Sequence, residues 1–89
     1  MDITKCASAG TMESSDAYVE IEPSNKGLNI QLESVVQKQF GDKIENAVRE
    51  VLEEQGVKNA GVRVIDRGAL ECVIRARVET AVLRGKGEV

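Results

Sequence analysis

The sequence predicts a small α+β fold, a two-layer sandwich in the order β-β-α-β-α behind a flexible N-terminal arm. Three observations carry this. Apolar and polar residues alternate from Ala17 to Glu22 and again from Leu28 to Glu33, the period of half-buried strands. From Val36 to Leu52 the apolar period changes to about 3.6, that of an amphipathic helix. A third short strand and a second helical pattern then follow before the chain closes. With 89 residues, 42% of them hydrophobic and 30% charged, the chain holds one domain of ordinary globular composition. Tyr18 and Phe40 are its only aromatic residues, so the core must be aliphatic.

Residues 1–15 show no periodicity and are rich in Ser, Thr, Ala and Gly, which predicts an exposed arm. The folded domain is expected over 16–84, with 85–89 a disordered tail. In the first strand Ala17, Val19 and Ile21 face one way and Tyr18, Glu20 and Glu22 the other. Pro23-Ser24-Asn25-Lys26-Gly27 is a turn cluster. After it Leu28, Ile30 and Leu32 alternate with Asn29, Gln31 and Glu33, so the spacing predicts a β-hairpin.

Ser34 with Gln37 has the spacing of a capping box. Val36, Phe40, Ile44, Ala47, Val48, Val51 and Leu52 then form one apolar stripe. Gly41 interrupts it at a cost of roughly 1 kcal/mol relative to alanine. Asp42 and Glu45 repeat the capping pattern, which predicts a kink or a restart there. Gly56 supplies the stop. Gly61 to Ile65 reads as a strand reached by a right-handed crossover, and Asp66-Arg67-Gly68 ends it. Residues 69–78 satisfy two patterns. Leu70, Cys72, Ile74, Ala76 and Val78 alternate as in a strand. Leu70, Val73, Ile74, Val78, Ala81 and Val82 fit a helix that continues to Arg84, and the longer pattern with its helix-forming residues favours the helix.

Composition excludes several functions. There is no histidine, the commonest general base near neutral pH. A net charge of −3, scattered basic residues and two aromatics argue against nucleic-acid binding. No apolar run approaches the roughly 20 residues of a membrane span, and Met1 to Lys5 carry no hydrophobic leader, so a cytoplasmic location is expected. Cys6 and Cys72 lack metal-ligand spacing. Cys6 reads as a free thiol in the arm and Cys72 as a small buried or half-buried residue. Glu20, Glu22, Glu53 and Glu54 read as a solvated face. Arg75 and Arg77 stand on the last helix, Arg77 beside its apolar stripe. The plainer reading is an aliphatic stem at the core edge; the functional one is a contact to a phosphate or a partner carboxylate.

One segment resists a purely structural reading. Ala9-Gly10-Thr11-Met12-Glu13-Ser14-Ser15-Asp16 places two adjacent hydroxyls between Gly10 and two carboxylates with no base beside them. Such a serine is a poor nucleophile for its own enzyme and a good substrate for another. A modified carrier is one reading. A small interaction module without a covalent group is the second, and a small hydrolase a distant third.

The segment resembles the attachment motif of the citrate lyase acyl carrier protein family, the γ subunits of that complex. Lys38-Gln39-Phe40-Gly41-Asp42 with Ile44, Asp66-Arg67-Gly68-Ala69-Leu70-Glu71-Cys72, and Arg75-Ala76-Arg77-Val78-Glu79 also resemble family blocks, so the likeness covers about residues 9 to 84. Met12 stands where leucine is expected, and the C-terminal tail is somewhat short. The resemblance implies a non-catalytic carrier. Its Ser14 would bear 2'-(5''-phosphoribosyl)-3'-dephospho-CoA through a phosphodiester, with Ser15 a neighbour. The thiol of that arm would hold acetyl and citryl thioesters while citrate is cleaved to acetate and oxaloacetate. The implied partners are the α (acyl transferase) and β (acyl lyase) subunits, a holo-carrier-forming transferase and an acetate ligase. Carriers of citramalate lyase and malonate decarboxylase use related arms, the second resembling this chain less closely. The Asp-Ser-Leu signature of phosphopantetheine carriers is absent.

Overall fold

The structure, a computed structural model, describes residues 3–34 and 37–87, with the side chains of residues 37–40 outside that description. Four strands and two helices follow in the order β1 (Ala7–Gly10), β2 (Ala17–Pro23), β3 (Leu28–Ser34), α1 (Gln37–Glu54), β4 (Ala60–Asp66) and α2 (Glu71–Lys86). Both helices lie on one face of a single mixed sheet, so the two-layer α+β class is as the sequence predicts.

One strand is added to the expected order. Ala7–Gly10, within the segment read as an arm, is β1 and pairs antiparallel with β2, Ala9 opposite Val19. Its inward side chains are only Ala7 and Ala9, too small to leave a hydropathy signal. Ile3 is also buried, and the Thr4 and Lys5 amides both donate to the Gly85 carbonyl of α2.

The predicted β2–β3 hairpin is not formed. The sheet order is β1-β2-β4-β3, so β4 lies between them, antiparallel to β2 and parallel to β3. Strands lie about 4.8 Å apart, so β2 and β3 are separated by roughly 10 Å, a gap that residues 24–27 can span at about 3.3 Å per residue. β4 claims the central position by its apolarity. Val62 and Val64 are buried on the helix side and Ile65 on the other. Its first residues are tied to the loop, with the Gly27 amide donating to Asn59 Oδ1 at 3.0 Å and the Ala60 amide to the Gly27 carbonyl at 3.1 Å.

The helices conform more closely. Ile44, Ala47, Val48, Val51 and Leu52 of the α1 stripe are buried. Val36 and the Phe40 side chain lie outside the described residues. α1 runs through Gly41 as one helix, without the expected restart. Ser34 closes β3 and donates its hydroxyl to Asp66, and the Gln37 side chain of the predicted capping box lies outside the described residues. At the other end Gly56 donates to Glu53 and Val57 to Leu52, a Schellman closure whose apolar pair, Val57 and Leu52, is buried. Residues 71–86 are helical, which resolves the ambiguous stretch in favour of α2. Leu70 only precedes it and is 71% exposed, so it leaves the predicted stripe. Cys72 is exposed rather than buried, because two residues of helix turn it about 200° from Ile74. The core is aliphatic as expected, with Val19, Ile21, Val48, Leu52, Val64, Ile74, Val78 and Val82 at its centre.

Candidate functional site

Ser14 stands on the loop between β1 and β2, at one end of the sheet. Four residues make a tight turn there: the Asp16 amide donates to the Glu13 carbonyl at 3.2 Å, leaving Ser14 and Ser15 at the two central positions. Ser15 has φ of 65°, the left-handed region. Its amide donates to the Arg67 carbonyl at 2.8 Å, and the Arg67 amide donates to the Asp16 carbonyl at 2.9 Å. Two residues of one strand thus oppose a single residue of the next, with the first left-handed. This is a β-bulge closing the turn, and it costs strain because a serine stands where glycine is usual. Ser15 is therefore fixed by its backbone. Ser14 is exposed, and no described residue hydrogen-bonds its hydroxyl.

A second set of bonds locks the loop from within. Thr11 Oγ1 donates to Asp16 Oδ2 at 2.6 Å and accepts from the Glu13 amide at 3.3 Å. Asp16 Oδ1 accepts from the Ala17 amide at 2.7 Å. From α2, Arg77 grips the same carboxylate with both arms of its fork, Nε to Oδ1 at 3.1 Å and Nη2 to Oδ2 at 3.0 Å. The carboxylate it meets belongs to its own chain. Neither the solvated stem nor the partner contact read from the sequence describes it. Arg75 pairs with Glu50 and Glu71 at the surface.

The Thr11 hydroxyl, then Arg77, then the Ala17 amide hold the Asp16 carboxyl down from its ordinary 3.8 to about 2. A depressed folded value means the contribution is whole above about 3.8 and is lost as pH falls through about 2. The unfolding midpoint of Asp16→Asn should accordingly lie below that of the native chain at neutral pH. The gap should close between pH 4 and pH 2 in paired denaturation curves. A gap that is the same at both ends of that range would show that the charge does not hold the loop.

Beneath the turn, Asp66 is 1% exposed and fully satisfied. Its Oδ1 accepts from the Gly68 and Ala69 amides at 3.0 and 2.8 Å, and its Oδ2 from Ser34 Oγ at 2.7 Å. One buried carboxylate thus ties the end of β3 to the turn that leads from β4 into α2, and so fixes Arg67. The two large apolar side chains most exposed among the described residues, Met12 at 51% and Leu70 at 71%, stand on the β1–β2 loop and the β4–α2 turn. Among the described residues no group of His, Cys, Asp or Glu could hold a metal ion, and no helix is long and apolar enough to cross a membrane.

Of the residues singled out in the sequence, the structure brings together Gly10, Thr11, Ser14, Asp16 and Arg77. It leaves Glu20, Glu22, Glu53, Glu54 and both cysteines away from the loop. The backbone part of Arg67 had no sequence signal, since any residue can supply an amide and a carbonyl.

This fold is shared by one chain of a Pseudomonas malonate decarboxylase hetero-tetramer, crystallised with malonate. The TM-score is 0.75 at 26% identity, covering 86% of this chain and 79% of that one. The family model of the malonate decarboxylase delta subunit, an acyl carrier (ACP) model, matches residues 4–85. Fold and sequence together define the class, that of the acyl carrier proteins. The citrate lyase acyl carrier protein of Halothermothrix orenii is 49% identical over 94% of this chain and 89% of its own length. That of Escherichia fergusonii is 53% identical over 94% and 88%. The chain belongs to the citrate lyase acyl carrier protein family.

Proposed function

We propose that this chain is the acyl carrier subunit of a citrate lyase complex, loaded at Ser14. The observation that carries the reading is the presentation of that hydroxyl, exposed and unheld at the tip of a turn whose other residues are fixed. The implied group, 2'-(5''-phosphoribosyl)-3'-dephospho-CoA, fits the site at its root, because an accessible serine oxygen is what a phosphodiester requires. When attached, the arm supplies a thiol for acetyl and citryl thioesters.

The chain's own residues do physical work. Ser14 offers its oxygen to a holo-carrier-forming transferase, which supplies the base that this histidine-free chain lacks. The Thr11–Asp16–Arg77 clamp and the bulge at Ser15 hold the attachment point still. The loaded arm would visit the α and β subunits and the acetate ligase in turn. Tethering makes each visit to a subunit intramolecular, at effective concentrations on the order of millimolar. The carrier catalyses no step itself, and we place its work in the cytoplasm. Identity near 50% to citrate lyase carriers, against 26% to the malonate decarboxylase chain, favours citrate lyase over malonate decarboxylase.

The test is intact mass with peptide mapping of the protein from cells in which the transferase is active. The expected result is one adduct on the peptide holding Ser14, larger than phosphopantetheine and containing adenine and a thiol. An unmodified chain from such cells would overturn the reading and leave an interaction module in its place.

A further inference from the structure

We propose that the guanidinium of Arg67 is the counter-charge for the phosphodiester created at Ser14. The proposal deepens the carrier reading and rests on it. Three observations lead to it. Arg67 is held across from the bulge by its own backbone, its amide bonded to Asp16 and its carbonyl to Ser15, the residue after Ser14. An extended arginine is longer than the spacing of about 4.8 Å between neighbouring strands, so the turn lies within its reach. Its side chain is exposed and, among the described residues, takes part in no ion pair or hydrogen bond.

The charges around the turn favour such a cation. Glu13 and Asp16 flank the attachment site. Both arms of the Arg77 fork are already spent on Asp16. Loading replaces a neutral hydroxyl by a group with a permanent negative charge and leaves Glu13 beside it. Arg67 is bonded to the turn through its backbone and its side chain has no ion pair among the described residues, and its planar fork suits two phosphate oxygens as a point charge does not. In the unloaded chain the same side chain waits in solvent.

The experiment compares loaded wild-type protein with loaded Arg67→Gln and Arg67→Lys. The phosphorus resonance of the Ser14 phosphodiester is read in all three, together with the Nε–Hε proton of Arg67 before and after loading. The phosphodiester signal should move in Arg67→Gln and return part of the way in Arg67→Lys. The Arg67 Hε should exchange with solvent more slowly in the loaded wild type than in the unloaded one. An unmoved phosphorus signal and an unprotected Hε would overturn the role of Arg67 and leave the carrier reading intact. Wild-type protein that gains no phosphorus would bring down the carrier reading, and this inference with it. Because Arg67 shapes the fold through its backbone, neither variant should lose the turn.

Discussion

In Ser14→Ala the covalent adduct should disappear completely, while the unfolding free energy stays within about 0.5 kcal/mol of that of the native chain. The reason lies in what Ser14 does not do. Its hydroxyl holds nothing among the described residues, and the turn around it is built from the backbone of Glu13, Ser15 and Asp16 and from the side chains of Thr11, Asp16 and Arg77. Ser15→Ala should keep the adduct, because Ser15 contributes through its amide and its left-handed φ. Mass measurement of both variants after exposure to the transferase separates the two hydroxyls. An adduct retained on Ser14→Ala, or lost only from Ser15→Ala, would move the site to the neighbouring serine.

Gly10→Ala should be the most damaging single substitution in the loop. Gly10 has φ of +95°, and a Cβ there would lie 1.9 Å from the Ala17 carbonyl oxygen and 3.1 Å from Arg77 Cδ. That oxygen is the acceptor for the Thr11 amide at 3.2 Å. The added methyl therefore collides with backbone, breaks the first bond of the loop and pushes the arginine off Asp16. A left-handed alanine costs about 1–2 kcal/mol and forced overpacking another 1–3, so a loss of about 3 kcal/mol or more is expected. For a domain with a total stability of roughly 5–15 kcal/mol, that is a large share. Urea denaturation measures it directly, and a loss below about 1 kcal/mol would mean that the β1–β2 loop refolds around the methyl.

The parts of this fold that local pattern could reveal were the parts that pattern determines. Alternation marked β2 and β3 and the 3.6 period marked α1, because each needs one face in the core, whereas residues 69–78 fitted both periods and the longer pattern favoured α2. Ladder order is a different matter. β2 and β3 look like a hairpin from either side of the Ser24–Gly27 loop, and only the demand of β4 for two partners separates them. β1 was invisible because its inward residues are two alanines. In the site, the Gly-Thr-x-Glu-Ser-Ser-Asp run announced itself as unusual. Arg77 stood out as a cation beside the apolar stripe, but only the fold makes its partner Asp16 of the same chain. The bulge contributed by Arg67 is made of backbone atoms that no sequence distinguishes.

The Asp16–Arg77 contact joins residues 61 positions apart, and the bulge reaches forward to Arg67. The Ser14 turn is therefore a long-range structure rather than a local one. A chain cut before Arg67 would keep the serine and its sequence neighbours and lose the bonds that shape the loop around them.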